Sequence, residues 1–123
     1  MPMKVLIVDD VKEITVHMDE IVRSRFPDAR TEHALTAEEA MIKFESFSPN
    51  FILLDINLGQ ESGLTVLKHV REKTARTKII MVSNFNDEVH KKICLVLGAD
   101  SFVDKTKEFH LIPEIIATHL KND

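Results

Sequence analysis

The apolar run VLIV at residues 5–8 stops on two adjacent carboxylates, Asp9 and Asp10. FILL at 51–54 stops on a third, Asp55, KIIMV at 78–82 stops on Ser83, and the segment at 101–103 runs into Asp104 and Lys105. Three carboxylates at close range repel, and they persist together only if one is protonated or a cation is present. Oxygen-only donors, with no Cys or His among them, select a hard cation. Mg²⁺ typically takes one or two carboxylates, several waters and a substrate phosphate. Asp10, Asp55 and a backbone carbonyl just beyond Asp55 leave room for those further ligands. Asp55 is the best placed nucleophile, since carboxylates attack phosphorus to give acyl phosphates. Phosphoryl transfer asks mainly for alignment and charge neutralisation, not for a general base. Lys105 supplies a positive group and Ser83 a hydroxyl donor to the phosphoryl oxygens.

Taken singly, each of these residues has an ordinary reading. An acid pair ahead of a helix is more often a cap with favourable first-turn charge than a metal site. A lone Asp, Ser or Lys at a strand end is usually loop chemistry. The features gain force jointly, because acid pair, acid, hydroxyl and amine all follow strand-like runs.

Strand-like runs and helix-like periodic segments alternate along the chain, the mark of a parallel sheet with crossover helices. A strand at 4–8 precedes a helix over 12–25, with Ile14, Met18, Ile21, Val22 and Phe26 at helical spacing and Pro27-Asp28 at its end. A short strand near 29–33 leads to TAEEAMIKFESF, where Thr36 and Glu39 form a capping-box pattern. The continuously apolar strand 51–54 has the composition of one covered on both faces. It is followed by a helix at 62–73, a strand at 78–82 and a helix at 87–97 closed by Gly98. A strand at 101–103 and a helix at 110–121, with Pro113 in its first turn, complete the count. The fold expected is α/β: five βα units, (βα)5, forming a doubly wound parallel sheet, whose order 2-1-3-4-5 is taken from the known flavodoxin-like pattern and not from the periodicity. Right-handed crossovers put all strand carboxyl ends on one edge, where open α/β sheets bind ligands.

At 123 residues, 44% apolar and 29% charged, the chain reads as one domain over 1–123, without an effector domain. Sixteen basic against 20 acidic residues, with no Lys/Arg stripe, argue against direct binding of nucleic acid. The apolar runs are too short to span a membrane, and no signal-peptide pattern opens the sequence. The single cysteine, Cys94 in ICLVLG, excludes an internal disulfide and points by default to the cytoplasm. It reads as a small core hydrophobe. The six histidines show no ligand-like spacing and read as surface or boundary residues.

The stretches VLIVDD at 5–10, ILLDINLGQESG at 52–63, IIMVSN at 79–84 and GADSFVDK at 98–105 closely resemble a response-regulator receiver domain of two-component signalling, over essentially the whole chain. The resemblance implies that Asp55 is the phosphoacceptor, Asp10 a direct Mg²⁺ ligand, Asp9 a ligand through water and the Asn57 carbonyl a further ligand. It implies that Lys105 contacts the phosphoryl group, that Ser83 swings toward it, and that Phe102 changes rotamer in concert. The output surface is then the fourth helix, fifth strand and fifth helix, roughly 87–121. The expected partners are a histidine kinase or histidine phosphotransfer protein and a downstream protein target or output domain. Dimerisation through the output face stays open.

This chain departs from the family at several positions. Gly59 stands where proline often follows the acceptor by four residues, which frees that loop. Lys105 precedes Thr106 where the family often has a cis proline. A cis bond there costs about 2.5–4 kcal/mol, so the peptide is trans or a strained cis. Asn84 replaces a usually small residue and crowds the phosphoryl entry. Phe85 shields an acyl phosphate from water, whereas Asn57 holds a water near it, so the lifetime of the phosphorylated state stays open.

The function expected is a phosphorylation-controlled switch, with at most self-directed phosphotransfer and autophosphatase activity, not an enzyme acting on other substrates. A Mg²⁺-dependent phosphatase of the haloacid-dehalogenase type needs a second Asp two after the nucleophile, where this chain has Asn57, and its acidic pair should follow the lysine. A flavodoxin-like FMN binder needs an anion-binding loop after strand one, where this chain has DDVKE.

Overall fold

The structure is a computed structural model that describes residues 2–84 and 87–121. Five parallel strands, β1 (Lys4–Val8), β2 (Arg30–Ala34), β3 (Phe51–Leu54), β4 (Lys78–Ser83) and β5 (Ser101–Asp104), form one sheet in the spatial order 2-1-3-4-5. They alternate with α1 (Lys12–Arg25), α2 (Ala37–Phe47), α3 (Gly63–Lys73), α4 (Glu88–Val96) and α5 (Ile112–Lys121). The expected doubly wound α/β architecture is therefore present.

Apolar runs form the central strands because both faces are covered. Successive strand residues point to opposite faces, so Leu6, Val8, Ile52, Leu54, Ile79 and Met81 pack with Phe44 of α2, Leu67 of α3 and Cys94 of α4. Val5, Ile7, Leu53, Ile80 and Val82 pack on the other face with Met18 of α1 and Ile116 of α5. The edge strand β2 is polar and only partly buried, which suits a strand with one unpaired side. No helix among the described residues is long and apolar enough to cross a membrane.

Local signals place most boundaries. Thr36 caps α2 by accepting from the Glu39 amide at 3.1 Å, and Glu39 reaches back to the Leu35 amide at 2.9 Å, one residue earlier than in the usual box. Gly98 follows α4 at φ +107°. The helix expected from residue 110 instead starts at Ile112, after a 3₁₀ turn over Phe109–Leu111, and Pro113 lies in its first turn as required.

Two features have no counterpart in the expected pattern. A small antiparallel hairpin pairs Asn57–Leu58 with Glu61–Ser62 between β3 and α3. At the sheet edge away from the strand carboxyl ends, Arg71 donates to the carbonyls of Gly98 and Thr77 at 2.7 Å each and to Asp100 Oδ2 at 2.7 Å. Asp100 Oδ2 also accepts the Ile79 amide at 2.8 Å. This planar fork ties α3 to the starts of β4 and β5.

Candidate functional site

Asp9 and Asp55 are held by continuation of the sheet beyond their strands. The Asp9 amide donates to the Ala34 carbonyl at 3.1 Å and the Asp55 amide to the Val8 carbonyl at 3.0 Å, so both backbones stay in the ladder. Asp9 is fully buried and Asp55 is 4% exposed, whereas Asp10 is exposed. One carboxylate oxygen from each of the three lies within 4.8 Å of the others. The spacing that looked like a repeated strand end is thus a single cluster.

Lys105 enters this cluster from the end of β5. Its ammonium lies 2.5 Å from Asp9 Oδ2 and donates to Asp55 Oδ2 at 2.7 Å. The contact to Asp9 is a buried ion pair, with Asp9 wholly out of solvent. Asp9 Oδ1 accepts the Val11 amide at 2.8 Å. Asp9 thereby does the loop work expected of an acid ahead of a helix with one oxygen and faces the site with the other. The N-cap of α1 itself is Val11, which has no side-chain cap bond.

The electrostatics follow from this burial. Desolvation pushes the Asp9 carboxyl above its ordinary value, outweighing the pull of Lys105 and the Val11 amide, with a small added push from Asp55. For Lys105, burial alone would lower the ammonium, but the hydrogen bond to Asp55 and the contact with Asp9 carry it above the ordinary lysine value. Three acidic side chains share one lysine. The oxygen-only donor set of three carboxylates within reach of one another fits a hard divalent cation.

Ser83 is buried at the end of β4, on the strand beside that of Asp55, and its carbonyl accepts the Lys105 amide at 3.0 Å. Asn57 is exposed, and its amide donates to Asp55 Oδ1 at 3.2 Å. Asn84 is exposed beside Ser83, and Phe85 lies outside the described residues. Phe102, half-buried on β5, packs against the α2–α4 side of the core, with the Lys91 ammonium 5.9 Å from its ring centroid. Asp9, Asp10, Asp55 and Lys105 are brought into one cluster. The backbones of Ser83 and Asn57 are tied to it, and Phe102 stands off on the edge strand.

The positions at which the chain departs from the family also shape the site. Gly59 takes φ +70° as the first residue of the two-residue hairpin turn, a backbone angle that proline cannot adopt. A Cβ on Gly59 would lie 3.8 Å from Asp10 Oδ2, so this turn sits against the acid pair. The Lys105–Thr106 peptide is trans, since no cis bond occurs among the described residues. In place of proline, Asp104 Oδ1 accepts from the Thr106 amide at 2.9 Å and its hydroxyl at 2.7 Å, while Glu108 Oε1 accepts the Asp104 amide at 2.8 Å. Asp two residues ahead of Thr is a readable turn signal.

Gly63 opens α3 directly beneath Asp55. Its amide donates to the Ile56 carbonyl at 2.6 Å, and an added Cβ would fall 1.9 Å from the Asp55 carbonyl oxygen. A glycine at the first residue after a Ser cap signals close backbone approach. Gly63→Ala should cost about 1–3 kcal/mol in urea unfolding by overpacking and should shift the Asp55 backbone amide in NMR spectra.

A raised Asp9 pKa favours the fold below the unfolded-state value of 3.8, and that contribution is lost as pH rises through the folded value. Asp9→Asn should therefore raise the melting temperature of the metal-free protein at pH 7. The gain should shrink steadily as pH falls toward and below 3.8, as checked by calorimetry across that range.

Comparison with known proteins gives a consistent result. A profile of the response regulator receiver domain matches residues 5–117. The chain is 32% identical over 83% of its length to the Bacillus subtilis alkaline phosphatase synthesis transcriptional regulatory protein PhoP, covering 42% of that protein. It is 26% identical over 98% of its length to chemotaxis protein CheY of Treponema pallidum, covering 84% of it. A crystal structure of a CheY-like response regulator receiver domain protein from Methanospirillum hungatei JF-1 superposes with TM-score 0.87 and 28% identity. That match covers 99% of this chain and 96% of the other. The chain spans less than half the length of PhoP and half the length of the Escherichia coli nitrate/nitrite response regulator NarL.

Proposed function

The chain belongs to the response regulator receiver domain family, and we propose that it works as a phosphorylation-operated switch whose acceptor is Asp55. The phosphoryl group comes from a phosphohistidine on a histidine kinase or phosphotransfer protein. The switched surface is the face made by α4, β5 and α5, which controls a protein target or an attached output domain. The observation that carries this reading is the Lys105 ammonium held between Asp9 and Asp55 in a three-carboxylate cluster.

An Asp55 oxygen attacks phosphorus, the donor P–N bond breaks, and its electron pair returns to the imidazole of the donor histidine. Asp55 is suited to this because its backbone stays in the sheet ladder and the Asn57 amide holds Oδ1. Lys105, anchored through Asp9, meets negative charge as it builds on the phosphoryl oxygens. Ser83 lies on the next strand at the same sheet edge, where a hydroxyl serves as a further donor. Asp10, Asp55 and the carbonyl of Asn57 would hold Mg²⁺ directly and Asp9 through water. The cation supplies charge neutralisation to the phosphoryl group. Ser83, swinging toward the phosphoryl group, and Phe102, changing rotamer in concert, carry the change outward, while Asn57, Asn84 and Phe85 set access of water to the acyl phosphate.

Incubation with Mg²⁺ and a small acyl-phosphate donor should add one phosphoryl group in the intact mass spectrum, lost in Asp55→Asn and under a chelator. Absence of the adduct with every donor tried would overturn the proposal.

The two acids of the pair should differ toward the metal. Asp9 has one oxygen on the Val11 amide and the other against Lys105, whereas Asp10 is exposed. Asp10→Ala should weaken Mg²⁺ binding about tenfold or more, roughly 1.4 kcal/mol, and Asp9→Ala less, by titration calorimetry. The reverse ranking would interchange their roles.

A further inference from the structure

Among the exposed large apolar residues of α4, Leu95 lies off the groove, but the others share one face. Val89, Ile93 and Val96 recur at i, i+4 and i+7 and are 66%, 41% and 76% exposed, while Cys94 is the buried residue of this helix. With Leu64 of α3 they line a groove of about 520 Å³ between the two helices. The charged side chains lining it are Lys68 on α3 and Lys92 on α4. Lys91, from another side of α4, lies over Phe102 of β5. The groove therefore lies on the α3 side of α4, not on its β5 side, and goes beyond the switch reading.

We infer that this groove is a docking site for an amphipathic helix with acidic flanks, carried by a protein partner. Apolar side chains at i, i+4 and i+7 beside a shallow groove are what a partner helix meets with anchors of matching spacing. Three exposed apolar side chains on one helical face, facing Leu64 across a groove, offer a partner apolar contacts that water does not reward. The charge selects the occupant. The chain as a whole is acidic, with 20 Asp and Glu against 16 Lys and Arg, yet this groove is lined by lysines. A second copy docked through the same patch would bring those lysines against their own equivalents, because a two-fold interface is self-complementary. An acidic flank meets both lysines favourably, steers association and sets register.

The test is selection from a display library of helical peptides, unbiased in surface charge, against the full chain without phosphoryl donor and in the presence of a chelator. Enriched peptides should carry apolar residues at i, i+4 and i+7 flanked by Asp or Glu. Their affinity by fluorescence polarisation should fall at least tenfold for Val96→Asp and for the Lys68→Glu/Lys92→Glu pair. The charge-reversed pair should instead favour lysine-flanked versions of the same peptides. These positions are exposed, and an unchanged melting temperature certifies the fold of each variant. Asp55→Asn should bind as the wild type does, which separates this result from the fate of the switch reading. No enrichment, enrichment without acidic bias, or binding indifferent to Val96→Asp would overturn the inference. Self-association in sedimentation that Val96→Asp abolishes would overturn it in favour of a second copy.

Discussion

The structure turns on one ammonium group placed between two buried carboxylates. Asp9 and Asp55 sit at the ends of adjacent strands with almost no exposure, where two like charges are poorly tolerated without compensation. Lys105 provides it at 2.5 and 2.7 Å. The compensation is incomplete, since Asp10 adds a third acid to the cluster. A site with one positive charge for three carboxylates is poised for a further cation and is sensitive to an added anionic group. Removing Lys105 would leave buried charge uncompensated.

Much of the surrounding architecture holds that arrangement still. The strands are apolar on both faces and packed between two helical layers, so their ends cannot shift without disturbing a close-packed core. The Asp104 carboxylate folds the following residues into a turn through Thr106, and the Lys105 amide bonds the Ser83 carbonyl. The lysine is thus aimed from a fixed base although no proline follows it. Gly63 lets α3 start against the Asp55 backbone, and the Arg71 fork secures the opposite edge of the sheet. By contrast α4, immediately downstream of the segment after Ser83, buries one side chain and leaves an apolar stripe outward. Among the described residues α4 is the α-helix with the fewest buried side chains, and few buried contacts make for low local stability.

The parts of this molecule that were legible along the chain are those written in local patterns. VLIV, FILL and KIIMV are strands because runs of branched apolar residues fit a sheet covered on both faces. Thr36 with Glu39 and Gly98 mark helix ends through hydrogen bonding and backbone freedom that depend on near neighbours. The residues at the strand ends could be listed from sequence once the winding was inferred. The hairpin at 57–62 was missed because each of its strands is two residues long, too short for an alternating pattern. The late start of α5 was missed because a 3₁₀ turn shares its residue preferences with a first helical turn.

What the sequence by itself determined is therefore the order of elements, the doubly wound fold and the identity of the acids, hydroxyl and amine at the strand ends. These depend on periodicity and on chirality rules that hold for any right-handed crossover. Only the tertiary structure decided that Asp9 is the buried acid and Asp10 the exposed one, that Lys105 spans Asp9 and Asp55, and that Gly63 lies against the Asp55 carbonyl. It also decided that the α4 stripe borders a lysine-lined groove. The reason is physical: the ion pairs that decide the site join Lys105 to Asp55 and to Asp9, well separated along the chain, and burial follows from the packing of whole elements. No local pattern encodes which of two adjacent aspartates turns inward until those distant partners are in place.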